Sequence, residues 1–531
     1  MTLPDLQLFR RLKEHAGLQA DRNDGSVHSA TAIVDTATGA TRTYASLLKD
    51  VLAVTRHLGT SDLEQQRVAV LCPAGYIYTV AQWSVWAAGG VFVPLCVSHP
   101  AKELEYHVKN AECSLALVHS SMRERLTTAL GSSKSIPLID IEQAVVSGHK
   151  SGNLDSGALV PFDESRNAMF VYTSGTTGRP KGVVSTHASL RAQIEAVVDA
   201  WHICKGDRLL HFLPLHHVHA SMQESSTQAL TCLLWSGATV EFVPKFDAGW
   251  TWRRLLDKQK PPVTLFMGVP TMYVRMLEML DNTGCDIDAR TACSHMRAMI
   301  SGSSALPVSV RERWRAATGA TILERYGMTE TGMIVGGSLD DPQKRVLGCV
   351  GWPFPSVEVR LCAEDGQNVW GRPGIAGEVQ VRGPALFKEY WKRPDATAEA
   401  FTTDGWFRTG DTAEWTPDGG CKILGRTSVD IIKSGGYKLS ALEIERAIME
   451  HPRVRDCAVV GVVDEVWGQR VAAAVVPAAG LPPPTLDELR KSASQELAQY
   501  KLPTLLRIVE ELPRNVMSKV NKKQVEKLFA E

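Results

Sequence analysis

The chain has 531 residues, a formal net charge of zero, and 44% hydrophobic and 22% charged residues. A chain of this length exceeds what one hydrophobic core usually supports, so two or more packed units are expected. Composition and charge are those of a globular protein and give no indication of a nucleic-acid or acidic-membrane partner. The 11 cysteines are odd in number and include no C-x-x-C pair, which indicates reduced thiols inside a cell.

The N-terminal residues 1–16 lack the apolar stretch of a secretory signal peptide. Asp5 and Glu14 do not suit a mitochondrial presequence, and an amphipathic first helix explains the pattern better. We therefore expect a cytoplasmic protein, with the mitochondrial matrix as the alternative. The most apolar region, residues 68–97, is interrupted by prolines and glycines and is interpreted as strand, helix and strand, not as a membrane span.

Predicted strands and helices alternate along the first part of the chain. The predicted strands are residues 67–72, 91–95 and 114–120, and the predicted helices are residues 79–90 and 103–111. This alternation predicts an α/β fold with largely parallel sheets. Residues 131–161 are polar, and we expect them to form a surface connection without regular elements.

The pattern changes twice further on. Residues 351–425 contain short runs between many Gly and Pro turns, which predicts antiparallel strands in a small barrel or distorted sheet. From Arg426 a compact α+β pattern begins, including a hairpin at residues 430–439. We therefore predict an α/β protein whose large N-terminal domain, residues 1–425, combines two α/β subdomains with a small distorted β-barrel. A mobile α+β lid domain, residues 426–531, is expected to follow.

The strongest motif is YTSGTTGRPKGVVSTH, residues 172–187, which follows an apolar strand. Its glycines let backbone N–H groups approach an anion, its hydroxyls add donors, and Lys181 neutralises charge. These features predict a phosphate-binding loop, called the phosphate loop below, from Thr173 to Lys181. It is not a Walker A loop, because Pro180 stands before the lysine. The alternative is a flexible linker, which a buried strand leading directly into the loop argues against.

Four further segments combine turn residues with charged or aromatic side chains. They are LPLHHVHA (residues 213–220), LERYGMTET (323–331), GWFRTGD (405–411) and LPRNVMSKV (512–520). The three histidines of the first segment lack an acidic or Cys partner at ligand spacing, so a metal site there is the weaker interpretation. Glu330 is a hard carboxylate of the kind that suits Mg²⁺. An ordinary turn around Glu330 and a capping role for Asp411 are the structural alternatives.

Taken in order, these five segments resemble the signatures of the adenylate-forming superfamily, which includes acyl-CoA synthetases, luciferases and adenylation domains of peptide synthetases. The resemblance covers nearly the whole chain. It implies an enzyme that uses ATP and Mg²⁺ to convert a small carboxylic acid into an acyl-adenylate. Coenzyme A would then take the acyl group as a thioester.

The resemblance also implies roles for individual residues. The ATP- and AMP-binding set is Thr173, Ser174, Gly175, Thr176, Thr177, Gly178, Lys181, Ser303, Ser304, Glu324, Tyr326, Gly327, Thr329, Asp411, Arg426 and Lys519. Within it, Tyr326 would stack on adenine, Thr329 would contact the α-phosphate, and Asp411 would accept from the ribose hydroxyls. The catalytic set is Lys519, Thr329, Glu330 and Lys181, with Glu330 as the Mg²⁺ ligand. The CoA-binding set is Ser434, Gly435 and Gly436.

Two positions depart from the family pattern. Ser518 stands before Lys519 where the family usually has Gly, which puts the geometry of that loop in question. The segment GRTSVD, residues 425–430, contains one residue more than is common, so the hinge between the domains is either Ser428 or Val429.

Several stretches, among them residues 244–247 and 267–277, look most like malonyl-CoA and methylmalonyl-CoA synthetases. Arg325 directly precedes Tyr326 and can therefore face the acyl end of the site. A dicarboxylate needs such a cation, because a second buried carboxylate without a partner is costly, and Arg offers a bidentate fork. The alternative is a structural salt bridge of Arg325 with Glu324 or a distant carboxylate. The other acyl-site candidates are His217, Arg275 and Ser303.

Three other functions were weighed against this hypothesis. They are a monocarboxylate acyl-CoA synthetase, a luciferase-type oxidative enzyme and a module that loads a carrier protein. The last is disfavoured because the chain ends soon after Lys519, and we expect no carrier domain, membrane or nucleic-acid partner. A binding protein without activity would not need Lys519, Glu330 and Asp411 together.

Overall fold

The computed structural model describes residues 2–17, 29–59, 62–131, 136–150, 158–173, 180–213, 215, 223–281, 287–302, 305–435, 437–514 and 520–530. Its α-helices are α1 (Gln7–His15), α2 (Tyr44–His57), α3 (Tyr76–Ala87), α4 (Ala101–Asn110), α5 (Arg123–Leu130), α6 (Ile141–Lys150), α7 (His187–Trp201), α8 (Gln223–Trp235), α9 (Ala248–Leu256), α10 (Pro270–Asp281), α11 (Ala289–Cys293), α12 (Val308–Thr318), α13 (Pro394–Glu399), α14 (Ala441–Met449), α15 (Leu486–Ala493) and α16 (Lys522–Lys527).

The strands are β1 (Leu3–Pro4), β2 (Thr31–Asp35), β3 (Thr41–Thr43), β4 (Arg67–Leu71), β5 (Val91–Pro94), β6 (Leu115–Val118), β7 (Leu138–Asp140), β8 (Leu159–Val160), β9 (Asn167–Thr173), β10 (Lys181–Thr186), β11 (Arg208–His211), β12 (Thr239–Phe242), β13 (Leu265–Gly268), β14 (Ala298–Ser301), β15 (Ile322–Met328), β16 (Gly332–Gly336), β17 (Trp352–Pro353), β18 (Glu358–Cys362), β19 (Ala376–Arg382), β20 (Glu389–Tyr390), β21 (Phe407–Trp415), β22 (Cys421–Arg426), β23 (Ile431–Ser434), β24 (Tyr437–Ser440), β25 (Val454–Asp464), β26 (Gly468–Pro477) and β27 (Leu505–Ile508). Three short 3₁₀ turns complete the described elements.

The first sheet has seven strands in the order β20-β10-β9-β5-β4-β6-β7. Strands β4, β5, β6, β7 and β9 pair in parallel, whereas β10 is antiparallel to both β9 and β20. The strands and helices predicted between residues 67 and 120 are all present, because continuous apolar runs there form buried strands separated by helices that cover the sheet.

The expectation for residues 131–161 was wrong, since this stretch contributes two short strands, β7 and β8, and a helix, α6. β7 pairs in parallel with β6, β8 pairs in parallel with β1, and α6 packs against α2, with Ile141 and Ala144 buried. The Gly- and Ser-rich ends of the stretch dominate its composition. They conceal a short apolar run, which the edge of a sheet already formed by β6 can still bury.

The second sheet has nine strands in the order β17-β16-β15-β14-β13-β11-β12-β2-β3 and is parallel from β15 to β2. One large hydrophobic core lies between the first two sheets, and each sheet carries a smaller core on its other face. This arrangement confirms the predicted pair of α/β subdomains. Such layering places the carboxyl ends of parallel strands at a common edge, where ligand sites usually form.

The antiparallel texture predicted for residues 351–425 corresponds to a four-stranded sheet in the order β18-β19-β21-β22. Register shifts in the β19–β21 and β21–β22 pairs distort it. The C-terminal residues form a further sheet, β24-β23-β26-β25 with β27 paired to β26, and it carries its own two cores. The predicted hairpin is present as β23 and β24. Among the residues described, no helix is long and apolar enough to cross a membrane.

Candidate active site

The two ends of the phosphate loop lie side by side. Thr173 ends β9, Lys181 begins β10, and the two residues are direct partners in the antiparallel pair. Thr173 is buried, and the Lys181 ammonium lies 4.8 Å from the centre of the Tyr390 ring. Both predicted residues at the mouth of the loop are therefore held by regular β-structure, while residues 174–179 lie outside the part of the chain that is described.

Glu330 lies next to the same tyrosine. The Tyr390 hydroxyl donates to Glu330 Oε1 over 2.7 Å, and Glu330 is buried. Burial raises the pKa of the Glu330 carboxyl, and the Tyr390 bond and the charges of Arg426 and Lys181 oppose that rise. A buried carboxylate with nearby cations but no second acidic ligand is suited to share a Mg²⁺ ion with substrate phosphates, the usual mode for this metal. Among described residues, no group of three or more His, Cys, Asp or Glu side chains could hold a metal by itself.

Three further residues from separate strands form what we call the nucleotide cluster: Tyr326, Asp411 and Arg426. The Tyr326 hydroxyl donates to Asp411 Oδ2 over 2.5 Å, and Arg426 Nε lies 3.1 Å from Asp411 Oδ1. Arg426 Nη1 also donates to the carbonyl of Thr409 over 2.7 Å. Burial, and then the Asp411 charge, raise the pKa of Tyr326 well above its ordinary value, so its hydroxyl remains a donor. The residues assigned to adenine and ribose are therefore in direct contact.

Other predicted residues lie on β15 itself and in the turn that follows it. Gly327 is buried where a Cβ would lie 2.2 Å from the carbonyl oxygen of Gly332, so only glycine fits there. Thr329, between Gly327 and Glu330, is also buried. Glu324 forms an ion pair with Arg311 at 3.4 Å, and burial raises its pKa to about 7 against the opposing charges of Arg311 and Arg446.

Arg325 occupies the next position of β15, and consecutive side chains of a strand face opposite sides. It is buried, and burial lowers the pKa of its guanidinium to about 10. The guanidinium lies against Gly302, where an added Cβ would stand 2.7 Å from Arg325 Cζ. Arg275, by contrast, is exposed on α10. A buried Arg at the strand position next to Tyr326 can bind an anionic group on its own face of β15, whereas the exposed Arg275 is less suited to do so.

In the C-terminal unit, Ser434 and Gly435 form the end of the β23–β24 hairpin. Gly435 has φ +56°, and its N–H donates to the Trp467 carbonyl over 2.9 Å. The same unit contains a charged group that we call the lysine cluster, in which the fold brings together Asp430, Glu445 and Lys522. Lys522 pairs with Glu445, lies 3.4 Å from Asp430 Oδ1 and donates to the Val459 carbonyl over 2.7 Å.

The remaining predicted site residues fall outside the described part of the chain. They are Ser174, Gly175, Thr176, Thr177, Gly178, His217, Ser303, Ser304, Gly436 and Lys519.

Sequence reasoning missed Tyr390 and the lysine cluster. Tyr390 stands 60 residues from its partner Glu330, and Lys522 stands 77 residues from Glu445. The available sequence signal was weak: an aromatic pair, Tyr390 and Trp391, lies within the turn-rich region of residues 351–425, and such pairs more often belong to a core. Contact with the site becomes visible only when β20 is paired with β10.

Comparisons with known proteins agree with this arrangement. A family model described as AMP-binding enzyme matches residues 21–391, and its C-terminal domain model matches residues 443–519. The mouse (Mus musculus) protein named malonate–CoA ligase ACSF3, mitochondrial, is 45% identical over 492 residues, covering 87% of this chain and 82% of that protein.

Two solved structures extend the comparison. ATP-bound MatB from Rhodopseudomonas palustris is 30% identical with a TM-score of 0.84, and 98% of each chain is covered. A malonyl-CoA ligase ternary product complex with methylmalonyl-CoA and AMP is 37% identical with a TM-score of 0.62, covering 93% of this chain and 99% of that one. The chain therefore belongs to the AMP-binding enzyme family. Within it, the chain is an ATP-dependent, AMP-forming acid–CoA ligase, which makes an acyl-adenylate and then an acyl-CoA thioester.

Proposed function

We propose that the acid is malonate, with methylmalonate as a second substrate, so that the products are malonyl-CoA, AMP and pyrophosphate. The observation that carries this proposal is the burial of the Arg325 guanidinium against Gly302, one residue from the nucleotide cluster. The names of the mouse relative and of the ternary product complex support the same substrate class.

The physical reason is charge compensation. Malonate reacts through one carboxylate, and its second carboxylate stays inside the site. Burying that second charge without a partner costs about 3–5 kcal/mol. Arg325 supplies a permanent cation with a planar fork that matches a carboxylate. A monocarboxylate has no second carboxylate, so it cannot form this ion pair with Arg325.

In the first half-reaction, a carboxylate oxygen of the acid attacks the α-phosphorus of ATP, and the bond to the β-phosphate breaks to release pyrophosphate. We assign Asp411 and Arg426 to the ribose, Tyr326 to the adenine, and Thr329 to the α-phosphate. Glu330 would hold Mg²⁺, which neutralises phosphate charge when bound. Lys181 and Lys519 add positive charge where negative charge develops, the term that usually contributes most to such catalysis.

In the second half-reaction, the CoA sulfur attacks the carbonyl carbon of the acyl-adenylate, and AMP leaves. We assign Ser434, Gly435 and Gly436 to the passage for CoA, and the domains to residues 1–425 and 426–531. The hinge, Ser428 or Val429, falls in the turn at residues 427–430, in which the Asp430 N–H donates to the Arg426 carbonyl over 2.8 Å. A rotation there would alternate the two sites, a known form of domain closure.

Two of the structural comparisons support this alternation. The product complex is more similar in sequence than ATP-bound MatB, yet its whole-chain TM-score is lower. A rigid-body difference in domain orientation lowers such a score without lowering identity. We infer that the C-terminal unit lies here in the orientation used for adenylation.

The test is a panel of acids assayed for AMP release with and without CoA: malonate, methylmalonate, acetate, butyrate and a long-chain fatty acid. Wild type should prefer malonate. Arg325→Leu should lower malonate turnover by about three to four orders of magnitude and spare or raise butyrate activity. Arg325→Lys keeps the positive charge but loses the bidentate guanidinium, so its malonate turnover should lie between those of wild type and Arg325→Leu. Equal loss with every acid, or a wild-type preference for acetate or a fatty acid, would reject malonate and leave the ligase assignment intact.

We propose the cytoplasm as the compartment, with the mitochondrial matrix as the alternative that the name of the mouse relative supports. Imaging of the full chain fused to a fluorescent protein at its C-terminus distinguishes the two.

A further inference from the structure

We propose that helix α4 positions the phosphate loop, with Tyr106 as a positioning residue for ATP binding. The Tyr106 hydroxyl donates to the carbonyl of Pro180 over 2.9 Å, immediately before Lys181. The proposal rests on the assignment of residues 173–181 to the phosphates of ATP, and it does not depend on which acid the enzyme uses.

The same helix also holds the other end of the loop. Asn110, the last residue of α4, accepts a hydrogen bond from the Tyr172 hydroxyl over 2.8 Å. One turn earlier, the His107 ring stacks on Tyr172 with a centroid distance of 4.4 Å and an interplanar angle of 21°. Burial lowers the pKa of His107 to about 3, so its ring is a neutral stacking surface and does not act as a base near pH 7. Tyr106 and Asn110 thus reach across the two ends of one loop.

A second element reinforces the exit of the loop. The Trp391 indole N–H donates to the Asn110 carbonyl over 2.9 Å, and the Trp391 backbone N–H donates to the Gly182 carbonyl over 2.8 Å. The neighbouring Tyr390 binds Glu330. The helix α4, the exit strand β10 and the proposed Mg²⁺ ligand are therefore joined by consecutive hydrogen bonds.

The contacts that Tyr106, Asn110 and Trp391 make around the two ends of the loop, called the clamp below, have a physical consequence. Fixing the backbone of a binding segment at the moment a ligand binds costs conformational entropy. Fixing Tyr172 and Pro180 before binding lowers that cost, which is how pre-organisation increases affinity. The gain should be specific to ligands that carry the β- and γ-phosphates, because AMP is held mainly through its adenine, ribose and α-phosphate.

The experiment compares Tyr106→Phe with wild type by calorimetric titration of ATP and of AMP, without acid or CoA. The variant removes one hydroxyl and keeps the ring, so the fold should be retained. We expect the Kd for ATP to rise about two- to tenfold, the range for one neutral hydrogen bond. The Kd for AMP should stay unchanged.

Tyr44→Phe is the matched control, because the buried Tyr44 hydroxyl donates to the Ala238 carbonyl over 2.6 Å, away from the loop. It should leave both Kd values unchanged. Lys181→Ala tests the loop assignment independently: it should weaken ATP more than AMP. If Lys181→Ala does so but Tyr106→Phe leaves ATP affinity unchanged, or weakens ATP and AMP equally, the positioning role is wrong. If neither substitution weakens ATP binding more than AMP binding, the assignment of the loop to the phosphates is wrong, and the positioning role of Tyr106 is wrong as well.

Discussion

The nucleotide cluster and the lysine cluster each contain a buried aspartate, Asp411 and Asp430, and the two clusters are linked through Arg426 and the turn that follows it, residues 427–430. There the Arg426 backbone N–H donates to Asp430 Oδ2 over 3.0 Å, while Asp430 Oδ1 faces Lys522 at 3.4 Å. In the lysine cluster, one cation is balanced by two carboxylates and a carbonyl of the same unit. In the nucleotide cluster, one carboxylate joins a tyrosine and an arginine from three strands.

The difference shows two uses of buried charge. Burial alone would lower the pKa of Lys522, but the charges of Glu445 and Asp430 raise it, so Lys522 stays charged and holds its segment to the sheet. The nucleotide cluster orients side chains that we assign to a ligand, which is the support a binding site needs. Damage to the lysine cluster should therefore reduce stability, and damage to the nucleotide cluster should reduce activity.

The largest effect is expected from Lys522→Met. Removing the cation leaves Asp430 and Glu445 buried without it, and breaking a buried ion pair in this way costs about 3–5 kcal/mol. Urea unfolding, monitored by tryptophan fluorescence, should show a first transition at a lower urea concentration than in wild type. The control is Lys109→Met, which removes an exposed pair with Glu105 and should cost less than about 1 kcal/mol. Equal losses in the two variants would mean that the lysine cluster carries little stability.

Lys519→Ala tests the function of the C-terminal unit and changes none of the three residues of the lysine cluster. Adenylation should slow by about a hundredfold or more, the scale for losing one transition-state charge contact. Thioester formation from pre-formed acyl-AMP should be largely spared. The measurement is pyrophosphate release for the first half-reaction and AMP release from supplied acyl-AMP for the second. Equal loss in both would indicate a structural role for Lys519, or a loop displaced by Ser518.

A smaller effect is expected from Asp411→Asn, which keeps the size of the side chain and removes the charge of the nucleotide cluster. Because hydrogen bonds to a charged group are worth about 1.5–3 kcal/mol, kcat/KM for ATP should fall about ten- to a hundredfold. Thermal unfolding should change much less than in Lys522→Met. A large drop in Tm with little change in kcat/KM would reverse the assignment of the two clusters.

The smallest effect concerns Glu324, which belongs to neither cluster and pairs with Arg311. Its pKa is raised to about 7 from 4.5, so the folded state binds the proton more tightly than the unfolded chain. Its contribution to stability is therefore full below pH 4.5 and is lost as the pH rises through about 7. The Tm of Glu324→Gln relative to wild type should increase by about one to three degrees between pH 5 and pH 8. Calorimetric scans across this range that show a constant difference would contradict it.

The local parts of this protein could be predicted from the sequence because they depend on neighbours in the chain. The apolar run at Arg67–Leu71 can only be a buried strand, and glycines end the helix that follows. The pairing of β9 with β10 and the hairpin at β23 and β24 are also short-range, since turn residues and flanking strands specify them. The family resemblance then indicated that the five motifs, although distant along the chain, belong to one site.

The contacts between distant residues were decided only by the tertiary structure. Tyr326 meets Asp411 across 85 residues, and no local pattern states which carboxylate a tyrosine will find. The sequence predicted α4 only as a helix at residues 103–111, and its contacts with both ends of the phosphate loop depend on where β9 and β10 lie. The strand and helix within residues 131–161 were likewise hidden, because their few apolar residues are stabilised by a sheet edge that forms elsewhere. Burial and partner choice depend on the packing of whole sheets, and that information is not contained in any single segment.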